Sequence, residues 1–211
     1  MPVPTRTVDP IITRIIEKYD PGSTLSYANS SHSQVRSSSG KDYFVKTGTP
    51  SEKDQFIGEA ECLKAIHTAA PGLAPHLLEC RVVEPGAGVP ERSAGKLVFV
   101  SEYKDIGSLT DSAAQKLARR LAGEVHAYKS TNGFGFTVPT FCGPTRQDNG
   151  WYSTWEECYG ALVEGLLSKL PSKYTELKSK GNESGNVGTD KKTGEPVIFD
   201  PSSYFGHNEA E

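Results

Sequence analysis

Apolar residues recur at helical spacing in several stretches of this chain, and each stretch predicts a helix with one buried face. The predicted helices are Asp9–Tyr19, a helix that opens at Pro50-Ser51 and ends before Pro71-Gly72, Asp111–Lys129 and Trp155–Leu170. In the second of these, Ser51 is the expected N-cap, with Asp54 three residues on as its capping-box partner. Asp111 is the expected cap of the third.

Short runs of β-branched and aromatic residues, separated by polar turns, predict five strands in the first half of the chain. They are Leu25–Ala28, Gln34–Ser37, Tyr43–Lys46, Leu77–Val83 and Leu97–Tyr103. The second predicted helix falls between the third and fourth strands. A final hairpin is expected over Val187–Asp200, with its turn near Lys191–Gly194.

Composition narrows the class of protein. Twenty-six acidic and 23 basic residues give a net charge of −3, which argues against a nucleic-acid-binding surface. The four cysteines lack the CxxC or CxH spacing of a zinc site, and their scatter favours a reducing compartment over a disulfide scaffold. No apolar leader or membrane-length run is found in the sequence. The expectation is a cytoplasmic protein without nucleic-acid or membrane partners.

Lys46 lies near the end of the third predicted strand, and Glu59 lies in the helix that follows it. In protein kinases a lysine at this strand position contacts the ATP phosphates, and a glutamate from that helix orients it. The ordinary alternative is a solvated strand-end lysine and one of several surface glutamates. Spacing alone favours that alternative, because both residue types are common.

The fifth predicted strand runs into Glu102, Tyr103 and Lys104, and the polar segment after it is typical of a hinge. Backbone groups of these three residues are candidates for hydrogen bonds to the edge of adenine, which need no particular side chain. A buried strand with a polar exit is the plainer interpretation, and this segment alone favours it.

Asn186 and Asp200 form the sharpest candidate pair. Asn186 follows a glycine turn, and Asp200 closes an apolar strand fourteen positions later. Kinase-like folds hold magnesium with such a pair, since Mg²⁺ takes one or two protein oxygen ligands together with phosphate oxygens. Taken alone, an asparagine in a turn and an aspartate before proline are common and need no function. Because they follow Lys46, Glu59 and the hinge in the order that a kinase-like fold has, the metal interpretation is favoured.

Gln147, Asp148 and Trp151 are candidate substrate contacts, because amide, carboxylate and indole groups suit polyols. A capped turn explains the same residues at least as well.

Taken in order, these segments resemble the fructosamine/ketosamine kinase family, which includes protein-ribulosamine 3-kinase. The matching strings are Tyr43–Lys46, Glu59, Phe99–Tyr103, Gly133–Phe136, Gln147–Asn149 with Trp151 and Trp155, Ser184–Gly188, and Val197–His207 with Glu209. The resemblance implies a two-lobed, protein-kinase-like α+β fold. Residues 1–103 would be the N-lobe, an antiparallel five-stranded sheet with one helix beside it. Residues 104–211 would be the hinge and an incomplete helical C-lobe.

The resemblance also implies a reaction. Such proteins use ATP and Mg²⁺ to phosphorylate the 3-hydroxyl of ketosamine adducts on protein lysines or small amines. The phosphorylated adduct then decomposes and frees the amine, which repairs glycation. By this resemblance Lys46, Glu59 and the hinge bind ATP, while Asn186 and Asp200 bind the metal.

The catalytic base is where this chain departs from the family pattern. The family motif H-G-D-L-W-S-G-N-V-G would place its aspartate at Gly181, or at Asn182 after a one-residue deletion, and neither side chain can accept the hydroxyl proton. Loss of a positioned base lowers a rate by about 10²–10⁴-fold.

The stretch after Trp155 is also shorter than the corresponding stretch of the family. Two further hypotheses follow: a nucleotide- or partner-binding pseudokinase, and a truncated product without function.

Overall fold

Five antiparallel strands form the main sheet of the computed structural model, which describes residues 7–28, 32–86, 89–169 and 187–199. The strands are β1 (Leu25–Tyr27), β2 (Gln34–Ser37), β3 (Asp42–Gly48), β4 (Leu77–Val82) and β5 (Leu97–Glu102). Their spatial order is β1-β2-β3-β5-β4, so the last of the five strands in sequence, β5, lies inside the sheet and β4 lies at its edge. All five predicted strands are confirmed to within two residues at each end.

Helices cover both faces of this sheet, because β5 is apolar on both sides. Val98 and Val100 face α1 (Pro10–Glu17), whose four isoleucines are buried in the same cluster. Leu97 and Phe99 alternate to the other face and pack with α2 (Lys53–Ala69). This alternation follows from the two-residue period of a strand. One face of the sheet is therefore packed against α1, and the opposite face is packed against α2.

The caps of two helices differ from the sequence prediction. A 3₁₀ turn over Pro50–Glu52 leads into α2, and its capping box joins Thr49 and Glu52 in place of Ser51 and Asp54. The Glu52 carboxylate accepts the Thr49 N–H at 2.8 Å. Pro50 explains the shift, since proline lacks an N–H and suits the first helical position, so the residue before it becomes the cap. Similarly, Thr110 caps the helix that begins at Asp111, accepting a hydrogen bond from Ala113 N.

The second half of the described chain has two α-helices and several short strand pairs. Its elements are β6 (Ile106–Gly107), α3 (Asp111–Arg120), β7 (Phe134–Gly135), β8 (Thr140–Cys142), β9 (Thr145–Gln147), β10 (Trp151–Tyr152), α4 (Trp155–Ser168), β11 (Val187–Asp190) and β12 (Pro196–Ile198). A π-helical turn over Leu121–Val125 replaces the α-helix predicted to continue to Lys129, and Gly123 within it weakens helix propensity. Within the described ranges, no helix has both the length and the apolarity to cross a membrane.

The predicted C-terminal hairpin is confirmed as β11 and β12, and Gly194 in its turn has a positive φ of 71°. β11 also pairs with β6, so this hairpin joins the segment that follows the main sheet. Ile198 N–H donates to the Leu73 carbonyl at 2.8 Å, which ties β12 to the loop after α2. The end of the hairpin is thereby held beside the main sheet.

A carboxylate anchors α1 to the turn between β2 and β3. Asp20 is almost fully buried and accepts hydrogen bonds from the hydroxyls of Ser37, at 2.5 Å, and Ser39, at 2.7 Å. The Lys41 ammonium lies 3.5 Å from the same carboxylate. The serine hydrogen bonds, with a smaller contribution from Lys41, lower the pKa of Asp20 to about 2.

This pKa predicts a specific loss of stability in acid. Because the folded-state pKa lies below the ordinary value of 3.8, Asp20 stabilises the fold above that pH, and the contribution is lost as pH falls through about 2. The difference in unfolding free energy between the wild type and Asp20→Asn should therefore narrow over this window. Urea unfolding at stepped pH measures it. Ser37→Ala should move the loss to higher pH, and a difference that stays constant would contradict the assignment.

Candidate active site

A pocket of about 450 Å³ lies between the α2-facing side of the main sheet and the segment after β5. This volume falls within the range of small-molecule sites. Its lining residues are Phe44, Lys46, Glu59, Leu63, Pro75, Phe99, Ser101, Glu102, Tyr103, Lys104, Ile106 and Phe199. The lining is mostly apolar, with the charged groups gathered at two places: the Lys46–Glu59 pair and the hinge.

Strand geometry brings Lys46 and Glu59 together. Lys46 is two residues from Phe44 on β3, so both side chains project from the sheet face that α2 covers. Glu59 projects from α2 toward the same space, and Lys46 Nζ lies 2.8 Å from Glu59 Oε2. The ammonium also lies 4.6 Å from the centre of the Phe56 ring. The glutamate side chain is only 12% exposed, so this is an oriented ion pair inside the pocket and not a solvated surface pair.

Backbone hydrogen bonds within the protein limit which hinge groups can bind a ligand. Glu102 N–H donates to the His76 carbonyl at 2.9 Å, and Tyr103 N–H donates to the Asp42 carbonyl at 3.1 Å. Both N–H groups are therefore already hydrogen-bonded within the protein. The Glu102 carbonyl accepts from the Ser101 hydroxyl at 3.2 Å, and a carbonyl oxygen has a second lone pair. Of the described hinge groups, these bonds leave the Glu102 and Tyr103 carbonyls and the Lys104 N–H for a ligand.

The Lys104 side chain links the hinge to the C-terminal hairpin. Its ammonium lies 2.7 Å from Glu102 Oε1 and 3.8 Å from Asp190 Oδ2, and the side chain is only 16% exposed. Next to it, Lys191 Nζ forms an ion pair of 2.8 Å with Asp105, which raises the pKa of Lys191. These contacts fix the hairpin relative to the pocket.

Gly188 in β11 is required by close packing. A Cβ at this position would overlap the Ile106 side chain and the Gly107 carbonyl of β6. The second glycine of the Gly-Asn-Val-Gly string thus allows β11 to lie against the hinge. At the open end of the hairpin Val187 pairs with Ile198, and Phe199 then lines the pocket. The two predicted metal ligands, Asn186 and Asp200, lie outside the described residues, as do Gly181 and Asn182.

The three candidate substrate residues lie away from the described part of this pocket, and each has partners elsewhere. Gln147 Oε1 accepts from the Thr140 hydroxyl at 3.2 Å. The Asp148 carboxylate lies 2.9 Å from Arg146 NH1 and 3.3 Å from Lys169 Nζ. Trp151 pairs through its backbone with Gly135. The structure does not bring these residues to Lys46.

Several pocket residues were not found from the sequence, although a signal for them exists. Across the β3–β5 ladder Lys46 pairs with Phe99, and Phe44 pairs with Ser101. Directly paired residues of antiparallel strands share a sheet face. Once Lys46 is placed in the site, the register therefore assigns these three neighbours to it as well.

The family model described as fructosamine kinase matches residues 23–170 of this chain. The chain belongs to the fructosamine kinase family. The family resemblance seen in the sequence is thereby confirmed. Among family members, the chloroplastic protein-ribulosamine 3-kinase of Arabidopsis thaliana is 33% identical in an alignment that covers 80% of this chain and 57% of the relative. The ketosamine-3-kinase of Mus musculus is 27% identical in an alignment that covers 80% of this chain and 67% of the relative.

A solved structure of a fructosamine kinase shows the same fold. It comes from a Haemophilus somnus 129PT protein described as a fructosamine-3-kinase, with a TM-score of 0.62, 15% identity, and coverage of 94% of this chain and 73% of that one. The expectation of a kinase-like α+β fold with a five-stranded antiparallel sheet is confirmed. The chain spans 57% and 54% of the lengths of its Arabidopsis thaliana and Oryza sativa relatives.

Proposed function

We propose that this fructosamine kinase family member binds Mg·ATP in the pocket between the sheet, α2 and the hinge. The observation that carries the proposal is the 2.8 Å Lys46–Glu59 ion pair inside that pocket. A lysine held by a helix glutamate keeps its ammonium oriented while a face of it stays open to phosphate oxygens. The Lys46 side chain is 34% exposed, which leaves room for such a contact.

The hinge side of the pocket suits a purine base. Phe99 and Leu63 supply apolar surface for a flat ring, and the Glu102 carbonyl can accept from an exocyclic amine. The Lys104 peptide N–H is the matching donor. In this proposal the base lies at the hinge and the phosphates extend toward Lys46.

Asn186 and Asp200 remain the proposed magnesium ligands. Asn186 directly precedes Val187, and Asp200 directly follows Phe199, which lines the pocket. The pairing of Val187 with Ile198 supports the proposal, because it places Val187 and Phe199, the described neighbours of the two residues in the chain, at the same end of the hairpin. Magnesium would there neutralise charge on the transferred phosphoryl group.

The proposed reaction is transfer of the ATP γ-phosphoryl group to the 3-hydroxyl of a ketosamine on a protein lysine or a small amine. ADP leaves, and the hydroxyl proton needs an acceptor. The names of the plant and mouse relatives, ribulosamine and ketosamine kinases, support this substrate class. Release of the amine from the phosphorylated product makes the proposed role a repair of glycation.

A second candidate is a nucleotide-binding pseudokinase. The specific feature in its favour is that, in the alignment which the family resemblance implies, Gly181 falls at the aspartate of the motif, or Asn182 does after a one-residue deletion. Without that proton acceptor, transfer should be slower by about 10²–10⁴-fold while nucleotide binding persists. The two candidates share a binding site and differ in chemistry.

Two measurements test these proposals in order. Mg·ATP at a hundred times its Kd should raise the melting temperature by roughly 5–10 °C, since such binding adds about 2.7 kcal/mol. No shift at millimolar Mg·ATP would refute nucleotide binding. A ribulosamine or fructosamine substrate should then yield more 3-phosphate than a Lys46→Ala control. Binding without product above that control would favour the pseudokinase.

A further inference from the structure

The β8–β9 hairpin contacts α2 directly through its backbone. A Cβ built on Gly58 would lie 2.6 Å from the Pro139 carbonyl oxygen and 3.7 Å from Thr140 Cα. Glycine inside a helix is destabilising relative to alanine, so its presence there needs a reason. Gly58 has ordinary helical geometry, so backbone conformation does not explain it. The close approach of the hairpin does.

Three polar side chains hold the part of the hairpin that makes this contact. Asn149 Nδ2 donates to the Val138 carbonyl at 2.9 Å and to the Thr140 hydroxyl at 3.0 Å. The Thr140 hydroxyl in turn donates to Gln147 Oε1 at 3.2 Å. Thr140 is only 1% exposed, so the loss of these bonds would leave polar atoms buried without them. The cluster therefore rigidifies the chain on both sides of Pro139.

This contact lies beside the face of α2 that carries Glu59. Asp54 and Gly58 are four residues apart and share one side of the helix, where Arg146 NH2 lies 3.5 Å from Asp54 Oδ2. Glu59 is the next residue after Gly58 and projects about 100° around the helix, toward the pocket. A sideways or rotational shift of α2 by roughly 1 Å would break the 2.8 Å bond to Lys46.

We propose that Thr140, Gln147 and Asn149 position Glu59 by holding the hairpin against Gly58, and so tune nucleotide affinity from outside the pocket. They are positioning residues and touch no ligand. The inference rests on the proposed role of the Lys46–Glu59 pair in binding Mg·ATP. It also gives Gln147 a role other than the sugar contact considered from the sequence.

The first test compares Thr140→Val with Thr140→Ser. Valine has the same shape without the hydroxyl, whereas serine keeps it. Thr140→Val should weaken Mg·ATP binding by about 3- to 10-fold in isothermal titration, which is the lower part of the range of coupling between neighbouring residues. Thr140→Ser should stay within about twofold of wild type. In a Glu59→Gln background, Thr140→Val should have no further effect, because its influence passes through Glu59.

The second test moves the helix without touching the polar cluster. Gly58→Ala should force the two backbones apart and weaken Mg·ATP binding to a similar degree. Gly160→Ala is the matched control, since it is also a helical glycine and nothing lies within 4 Å of the added methyl group. This control should leave affinity unchanged. The comparison decides the question even if Thr140→Val does not fold.

Hydrogen exchange separates this inference from the proposed function. In the chain without nucleotide, Thr140→Val and Gly58→Ala should speed exchange of α2 amides around 58–63, while Gly160→Ala should not. If Glu59→Gln leaves Mg·ATP affinity unchanged, the proposed role of Glu59 is wrong. If Glu59→Gln weakens binding but Thr140→Val and Gly58→Ala change neither affinity nor exchange, the positioning role is overturned. Additive effects of Thr140→Val and Glu59→Gln would overturn it too.

Discussion

Replacing Lys46 by alanine is expected to weaken Mg·ATP binding by about 10- to 100-fold. A hydrogen bond to a charged group contributes about 1.5–3 kcal/mol, and the ammonium would contact phosphate oxygens in a largely apolar pocket. Lys46 is already held 2.8 Å from Glu59, so little orientation has to be gained on binding. The loss should therefore reach the upper part of that range.

Isothermal titration with Mg·ATP measures this effect, and Lys18→Ala is the matched control. Lys18 also forms a 2.8 Å ion pair with a glutamate, Glu79, but lies outside the pocket. Its replacement removes the same charge from the protein and should leave the nucleotide affinity within about twofold. Equal losses in the two variants would show that net charge, not the position of Lys46, governs binding.

Truncation of Phe99 to alanine is expected to cost about 3–5 kcal/mol of unfolding free energy. The ring is 1% exposed and lies at the centre of the α2-facing core. It makes edge-to-face contacts with Phe44 and Phe56, both with ring centres 6.4 Å apart. A cavity there would stay open because the sheet and α2 both border it. The melting temperature should fall by roughly 6–20 °C.

Urea unfolding of Phe99→Ala and Tyr159→Ala side by side checks the prediction. Tyr159 is also aromatic, but 54% of it is exposed on α4, so its truncation should cost less than about 1 kcal/mol. A loss below about 1 kcal/mol for Phe99→Ala would contradict the assignment of this ring to the core. Phe99 also lines the pocket, so Mg·ATP should stabilise the variant less than it does the wild type.

Much of the fold could be predicted from local patterns. The five strands, the four helices and the C-terminal hairpin follow from periodicity and turn residues, which depend on neighbours within a few positions. The errors were local too. Both misplaced caps lay one or two residues from the true one, where Thr49 and Thr110 each precede a plausible competitor. In the case of α2, proline geometry decides the position.

The candidate site was predictable in part. Lys46 and Glu59 were paired from their order and their likeness to a kinase pattern, and the structure places them 2.8 Å apart. The amide chemistry of Gln147 predicts a substrate contact, whereas its hydrogen bond to Thr140 depends on the pairing of two strands and cannot be inferred from composition. The metal pair stays a prediction, since Asn186 and Asp200 lie outside the described residues.

The order of the elements, their apolar faces and the family of the chain can all be read from residue spacings and short sequence strings. The packing of the elements is needed to show that the Glu102 and Tyr103 N–H groups are hydrogen-bonded to the His76 and Asp42 carbonyls, and that Gly58 lies against the Pro139 carbonyl. Those contacts join residues 26 to 81 positions apart, and their geometry depends on how whole elements pack. No local pattern encodes such packing.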